Sequence, residues 1–503
     1  MNDSASKRWL ALGALAVAML TIGLDVTVLT VALPTLAVDL HAGTGALQWF
    51  SSAYTLALAA VMLPAGALGD RCGRKKILLA ALLLFGAASL ACAFAGTSGQ
   101  LIAARAVLGL AAAAMMPLSM AILPGLFPDP ADRQRALTIW ITSTAIGLPL
   151  GPIVGGWLLQ NFWWGSVFLI NVPMVAIGAT AVALLVPESR SANAVRVDLP
   201  GVALSVFGML GLTYGFIRFG EQSWGDGLAW AAVAGGVALL TAFVLWQRRA
   251  AHPLIDLGLF AAPGFRWGTV YMIVVNFAMF GLFFTMPQYF QAVLGADALG
   301  SGLRLLPLIG GLIVGSRVVD GLLPRAGLRV VLTSGFALLA GGLALAALLT
   351  TNSGYGVAAT ALALLGAGMG LVMPAAMGLA MGELAAERAG SGSALLQALR
   401  QAAGTIGVAV LGTVLATRYR AELGSANRPP VDDGVNAGVG VAHRLGDTEL
   451  LAHVQTAFMG GMSAMLWVCA AVCLGATVMA ALLTRAPAGP APAPDAAQSV
   501  HAG

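Results

Sequence analysis

Apolar runs of about 20 residues recur along nearly the whole chain, each long enough to cross a hydrocarbon core of ~30 Å as a helix. Taken between charged or Gly/Pro-rich breaks, they fall near residues 10–33, 47–68, 77–95, 100–123, 136–159, 166–186, 199–219, 228–246, 267–290, 303–323, 329–350, 355–380, 398–417 and 457–484, fourteen spans in all. Only 9% of the residues are charged and 59% are hydrophobic, where a soluble domain carries roughly a quarter charged residues. The expected class is an all-α polytopic membrane protein. The 64 glycines agree with it, because small residues let helices approach closely in lipid.

The net charge of +5 needs no nucleic-acid partner, since no basic cluster exceeds "RCGRKK" at 71–76. Topology explains it: with the N-terminus inside, Arg71, Arg74, Lys75, Arg133, Arg248 and Arg325 fall on the cytoplasmic side, as the positive-inside rule requires. Both ends are then cytoplasmic, and the first span is a retained helix without a cleavage site. Arginine outnumbers lysine 23 to 3, which with the Ala and Gly load suggests a GC-rich bacterial genome and so a cytoplasmic (inner) membrane. The four cysteines are scattered, and the five histidines lie in loops or tails, so no metal cluster is expected. No Gly-x-x-x-x-Gly-Lys-Ser/Thr loop occurs, which leaves ATP-driven transport and enzymatic chemistry without a signature. No cofactor is expected.

Four stretches carry chemistry. Asp25 is the only ionisable group between Trp9 and Leu33. A carboxyl group in a low-dielectric cavity has its neutral form favoured, so it can hold either a proton or a cation. A purely structural alternative is an aspartate bonded by Thr21 and Thr27. Arg105 sits in "LIAARAVLGL"; an intramembrane arginine costs at least ~2.5 kcal/mol on insertion scales and should face the bundle interior, or be held by backbone carbonyls. In "TAIGLPLGPIVGGWL" Gly147, Gly151 and Gly155 are four apart and make a bare stripe on one helix face, next to Pro152 and Gly156. In "GALGDRCGRKKILL" Gly66 lets a helix end pack closely and Asp70 can accept hydrogen bonds from a facing helix N-terminus.

The last stretch resembles the loop signature of the major facilitator superfamily, which implies a cytoplasmic latch of Gly66, Asp70, Arg71, Gly73, Arg74 and Lys75. A weaker echo, "GLLPRAGLRVVL", repeats it through Arg325, Gly327 and Arg329, with Pro324 in the place of the acid, as two related halves would leave. The glycine stripe resembles the antiporter motif of this superfamily, Arg105 and Gly109 its span-4 motif, and "LDVTVLTVALP" the span-1 motif of the fourteen-helix drug:proton antiporters, which include multidrug and quaternary-ammonium efflux pumps. The resemblance covers roughly residues 9–484. It implies a six-helix bundle at 1–190, two additional helices at 191–262 and a second six-helix bundle at 263–485 with a long extracytoplasmic loop at 418–456; the Pro/Ala-rich composition of 486–503 predicts a disordered tail. The resemblance also implies proton coupling through Asp25 and Arg105.

The expected function is therefore export, by alternating access, of lipophilic monovalent cationic or neutral drugs, dyes or natural products, driven by protons and carried out by a monomer in the bilayer. A proton-coupled importer, a dedicated self-resistance exporter of one antibiotic and a scaffold that no longer transports are the alternatives. Members of the family that export divalent cations carry extra acids in spans 10 and 13, where this chain has Arg304, Gln397, Arg400 and Gln401. A dication would lack a second counter-ion. Gln48, Trp49, Tyr54, Met116, Phe280, Phe284 and Gln288 are the expected cavity surface for flat lipophilic cations.

Overall fold

The computed structural model describes residues 2–190, 198–222, 224–251, 253–382, 384 and 386–483. Among them, thirteen helices are long and apolar enough to cross a membrane, and Pro130–Asn161 is a further helix of 32 residues. In chain order these are α1 (Lys7–Asp39), α2 (Thr44–Cys72), α3 (Arg74–Ala93), α4 (Ser98–Leu126), α5 (Pro130–Asn161), α6 (Ser166–Leu185), α7 (Leu199–Glu221), α8 (Gly227–Gln247), α9 (Pro263–Val293), α10 (Ala298–Val319), α11 (Gly321–Ala347), α12 (Tyr355–Gly382), α13 (Leu395–Ala426) and α14 (Thr448–Leu482). The tail at 486–503 and the side chains of Asp320 and Glu383 lie outside the described residues.

Side-chain caps set several helix starts by satisfying backbone N–H groups that have no partner within the helix. Thr97 accepts from the Gln100 amide, Asp198 from Gly201, Asp226 from Ala229 and Asp297 from Gly300, at 3.3, 3.0, 2.8 and 2.6 Å. Asp447 does the same for Leu450 at 2.8 Å, and α14 therefore begins about two turns before the apolar run does. The segment 418–456 is accordingly no open loop: α13 continues to Ala426 and a short helix, Val435–Leu445, precedes α14. Hydropathy stops at the membrane surface, whereas a capped helix runs on into water.

One apolar core is built almost wholly from α1–α6 and a second from α9–α14. The remaining pair, α7 and α8, packs through glycines: a methyl group on Gly236 would come within 2.8 Å of the Gly208 carbonyl. The pair lies across the seam of the two halves. Met209 of α7 packs on Leu56 and Ala59 of α2, and Thr413 of α13 donates a hydrogen bond to the Phe216 carbonyl.

The two loops that echo each other in sequence also share a backbone feature. Gly73, between α2 and α3, has φ +117°, and Gly327 has φ +80°, a region that favours glycine. Around Gly327 the helical structure continues from Leu306 to Ala347, so the expected break at 323–329 is one non-helical residue.

The halves are tied together at the end of the bundle that holds Asp39. There Gln291 donates to the Val31 carbonyl at 3.1 Å, Gln160 to Asp297 at 3.1 Å, and Thr44 to the Asp433 carbonyl at 2.8 Å. The short helix Val435–Leu445 lies beside this seal, its Asn436 donating to Gln288 at 3.4 Å.

Candidate functional site: a buried ion pair beside a central cavity

Asp25 of α1 and Arg105 of α4 are 80 residues apart in sequence and form an ion pair, Nη1 to Oδ2 at 2.7 Å, with both side chains essentially inaccessible. The second carboxylate oxygen accepts from Asn171 Nδ2 of α6 at 2.9 Å, and Asn171 also reaches Ser89 of α3 at 3.3 Å. Arg105 Nε donates to the Phe50 carbonyl at 3.1 Å, and its guanidinium lies 4.5 Å from the centre of the Tyr54 ring. Gly109 makes this approach possible: a Cβ there would sit 2.3 Å from the Tyr54 carbonyl, so only glycine lets α4 lie this close to α2. A charge pair out of water holds only with such geometry and with its other lone pairs and protons satisfied. Thr21 bonds to a carbonyl of its own helix and Thr27 to carbonyls of its own helix and, at 3.5 Å, of Gly147 in α5, neither to Asp25, while Arg105 has the carbonyl and the carboxylate together.

The glycine stripe of α5 works on two neighbours. A Cβ on Gly147 would meet the Leu20 carbonyl at 2.8 Å, one on Gly151 would overlap the Thr27 hydroxyl, and one on Gly155 would meet Val28 at 2.5 Å, so this face lies directly on α1. Gly156 faces the other half, where a Cβ would stand 2.6 Å from Leu299 Cα. Gly302 of α10 in turn lies against the Pro152 carbonyl.

At the opposite end, Asp70 pairs with Arg74 at 2.7 Å, and Arg74 Nη1 donates to the Ala121 carbonyl at 2.9 Å. Gly66 rests against Pro117 at ordinary contact distance, and Arg71 is exposed. The acid at a helix N-terminus is Glu188, which sequence reasoning did not single out: it accepts from the Lys75 and Lys76 amides at 3.1 and 3.2 Å, while Lys75 Nζ donates to Ala183. An acid before a gap in hydropathy carries no signal of which helix it will cap. A Cβ on Gly73 would press to 2.9 Å from the Glu188 carboxylate at a φ of +117°. Gly73→Ala is expected to lose on the order of 1–3 kcal/mol. The check is the thermal unfolding midpoint of purified protein, with Gly99→Ala, whose Cβ meets open space, as the unchanged control.

Between the halves lies a cavity of about 210 Å³. Of the expected surface, Tyr54, Met116, Phe280 and Phe284 line it, together with Arg105 and Thr27. Gln48 is instead fully buried against Gly412, Trp49 is half-buried away from the wall, and Gln288 bonds to the Phe284 carbonyl at 2.8 Å. The face of α2 on the cavity is that of Ser51, Tyr54 and Thr55. Asp25 is not on the wall, and each of its oxygens already has a donor. It offers a cation no free contact in this conformation.

Two helical halves around a cavity, with Arg105 on its wall and Asp25 paired to it from behind, have the arrangement of a transporter. The residues 15–408 match the family model of the Major Facilitator Superfamily, and the chain belongs to that family. Among its relatives, the tetracenomycin C resistance and export protein of Streptomyces glaucescens is 32% identical over 95% of this chain and 91% of that protein. The multidrug efflux pump LfrA of Mycolicibacterium smegmatis is 31% identical over 95% and 97%. The fold is shared with a bacterial homolog of the human lysosomal transporter Spinster in an inward-facing, unoccupied conformation, at TM-score 0.66, 17% identity and coverage of 96% and 99%. The chain is thus a multi-pass protein of the bacterial cytoplasmic membrane, with a transporter's fold.

Proposed function

We propose that this protein exports small amphipathic compounds in exchange for protons, by alternating access of its two halves, as a monomer with both termini cytoplasmic. The observation that carries the reading is the Asp25–Arg105 pair, because Arg105 belongs both to the ion pair and to the cavity wall. A proton placed on Asp25 cancels the charge that holds Arg105, and a released guanidinium changes what the wall offers a substrate. Proton and cargo are linked through one side chain, and such linkage is reciprocal. The basic residues gathered at the Asp70 end favour that end as cytoplasmic, and the seal near Asp39 is then the closed outer gate. The relatives are resistance and efflux proteins, which supports export over uptake.

The test is dye accumulation in a pump-deficient bacterium, with cationic ethidium and anionic fluorescein measured separately. Cells expressing the chain are expected to retain less of at least one dye, and a protonophore is expected to erase the difference. Equal retention of both dyes with and without the chain would overturn the reading.

A further inference from the structure

The cavity has a charged pole that no carboxylate among the described residues balances. Arg400 of α13 lines it beside Gln397 and Gln401. One guanidinium nitrogen donates to Gln397 at 3.0 Å, while the buried Nε finds no acceptor. Among the described lining residues the only other charge is Arg105, already neutralised by Asp25 at 2.7 Å. A positive charge away from bulk water calls for a counter-ion, and here the described residues supply only an amide. The geometry points to the cargo as the source: we propose that Arg400 binds an ionised acidic group of the transported compound, a carboxylate or an ionised phenol or enol, on a flat apolar body.

The chemistry of the rest of the cavity fits that shape of ligand. A guanidinium fork matches an oxyanion in two parallel hydrogen bonds. Met116, Phe280, Phe283 and Met369 supply apolar and aromatic surface for a ring system. Gln397, held by Arg400, also reaches Met116 of α4 at 3.5 Å, so the pole stands where the two halves meet. A cation at the same place would face a like charge and, among the described residues, no free acid. This proposal departs from the expected monovalent cationic or neutral cargo by placing an acidic group on it.

This inference rests on the export reading only in that the cargo must enter this cavity, and binding tests it separately from transport. Fluorescein and rhodamine 123 share a xanthene framework and carry opposite charges. Their affinities for the purified full-length protein in neutral detergent are measured by fluorescence anisotropy, with empty micelles subtracted. The wild type is expected to bind fluorescein roughly tenfold more tightly or better, the value of one charge-assisted hydrogen bond. Arg400→Gln is expected to remove that preference and Arg400→Lys to keep more of it than Arg400→Gln does. An equal or reversed preference in the wild type, no binding of either dye, or an unchanged preference in well-folded Arg400→Gln would each overturn the anionic pole. The wild-type ratio needs no substitution, so a variant that fails to fold does not protect the proposal. Export of ethidium alone by a protein that binds no fluorescein would sink the pole and leave export standing. Preferential binding of fluorescein without efflux of any dye would support the pole and sink the export reading.

Discussion

Asp25→Asn is expected to abolish protonophore-sensitive efflux and also to destabilise the protein. Asparagine cannot exchange a proton, and it leaves Arg105 buried without the carboxylate it now meets at 2.7 Å. Removing one partner of a buried pair costs about 3–5 kcal/mol, so lost efflux in the single variant has two causes that must be separated. The double variant Asp25→Asn/Arg105→Gln separates them, because it removes the orphaned charge as well. It is expected to recover most of the thermal stability and none of the transport. Should the double variant, folded as well as the wild type, still export in a protonophore-sensitive way, Asp25 is a structural residue and the coupling lies elsewhere.

The second large effect is expected at Gly156. Valine there would drive a side chain into Leu299 Cα and the Ala298 carbonyl, which are 2.6 and 2.7 Å from the position of a Cβ. Both are backbone atoms and cannot swing aside. Overpacking of this kind costs roughly 1–3 kcal/mol, and here the strain is relieved by parting the halves at the Asp39 end. Cysteines placed at Gln160 and Asp297, whose side chains lie 3.1 Å apart, report that seal. Cross-linking is expected to fall about tenfold in Gly156→Val, as 1.4 kcal/mol shifts an equilibrium by that factor. In Gly125→Ala, where a Cβ meets open space, it should not change. Undiminished cross-linking in Gly156→Val would show that this contact does not hold the gate.

The spans were legible because hydropathy reports them directly, and so were Asp25 and Arg105, each an ionisable group where one is least tolerated. That they pair was not legible, since the sequence offers Thr21, Thr27 and backbone carbonyls as equally plausible partners. Asn171 went unseen for a related reason: an amide in a span is cheap enough to pass for a packing residue, yet it holds the second oxygen of Asp25 at 2.9 Å. The cavity surface was half legible. A helix that is apolar all round gives no moment to say which side faces a cavity, so on α2 Gln48 and Trp49 were favoured beside Tyr54, where Ser51 and Thr55 join Tyr54 on the wall. Arg400 was noticed only as the absence of an acid. Its significance appears once the cavity collects residues from both halves and leaves this one charge unanswered.

The position of α7 has a consequence for how the two halves can move against each other. Two-bundle transporters have two flanks along which the halves meet. Here one flank, along α2 and α13, is shuttered by α7 through Met209 and Phe216. The other, along α5 and α10, is closed near Asp39 by Gly156 and Leu299. Along α2 and α13 the halves are therefore bridged by a helix that belongs to neither core, so any rocking of one half against the other must shear these contacts or carry α7 with it. The additional helices thus make the two flanks of the molecule unequal.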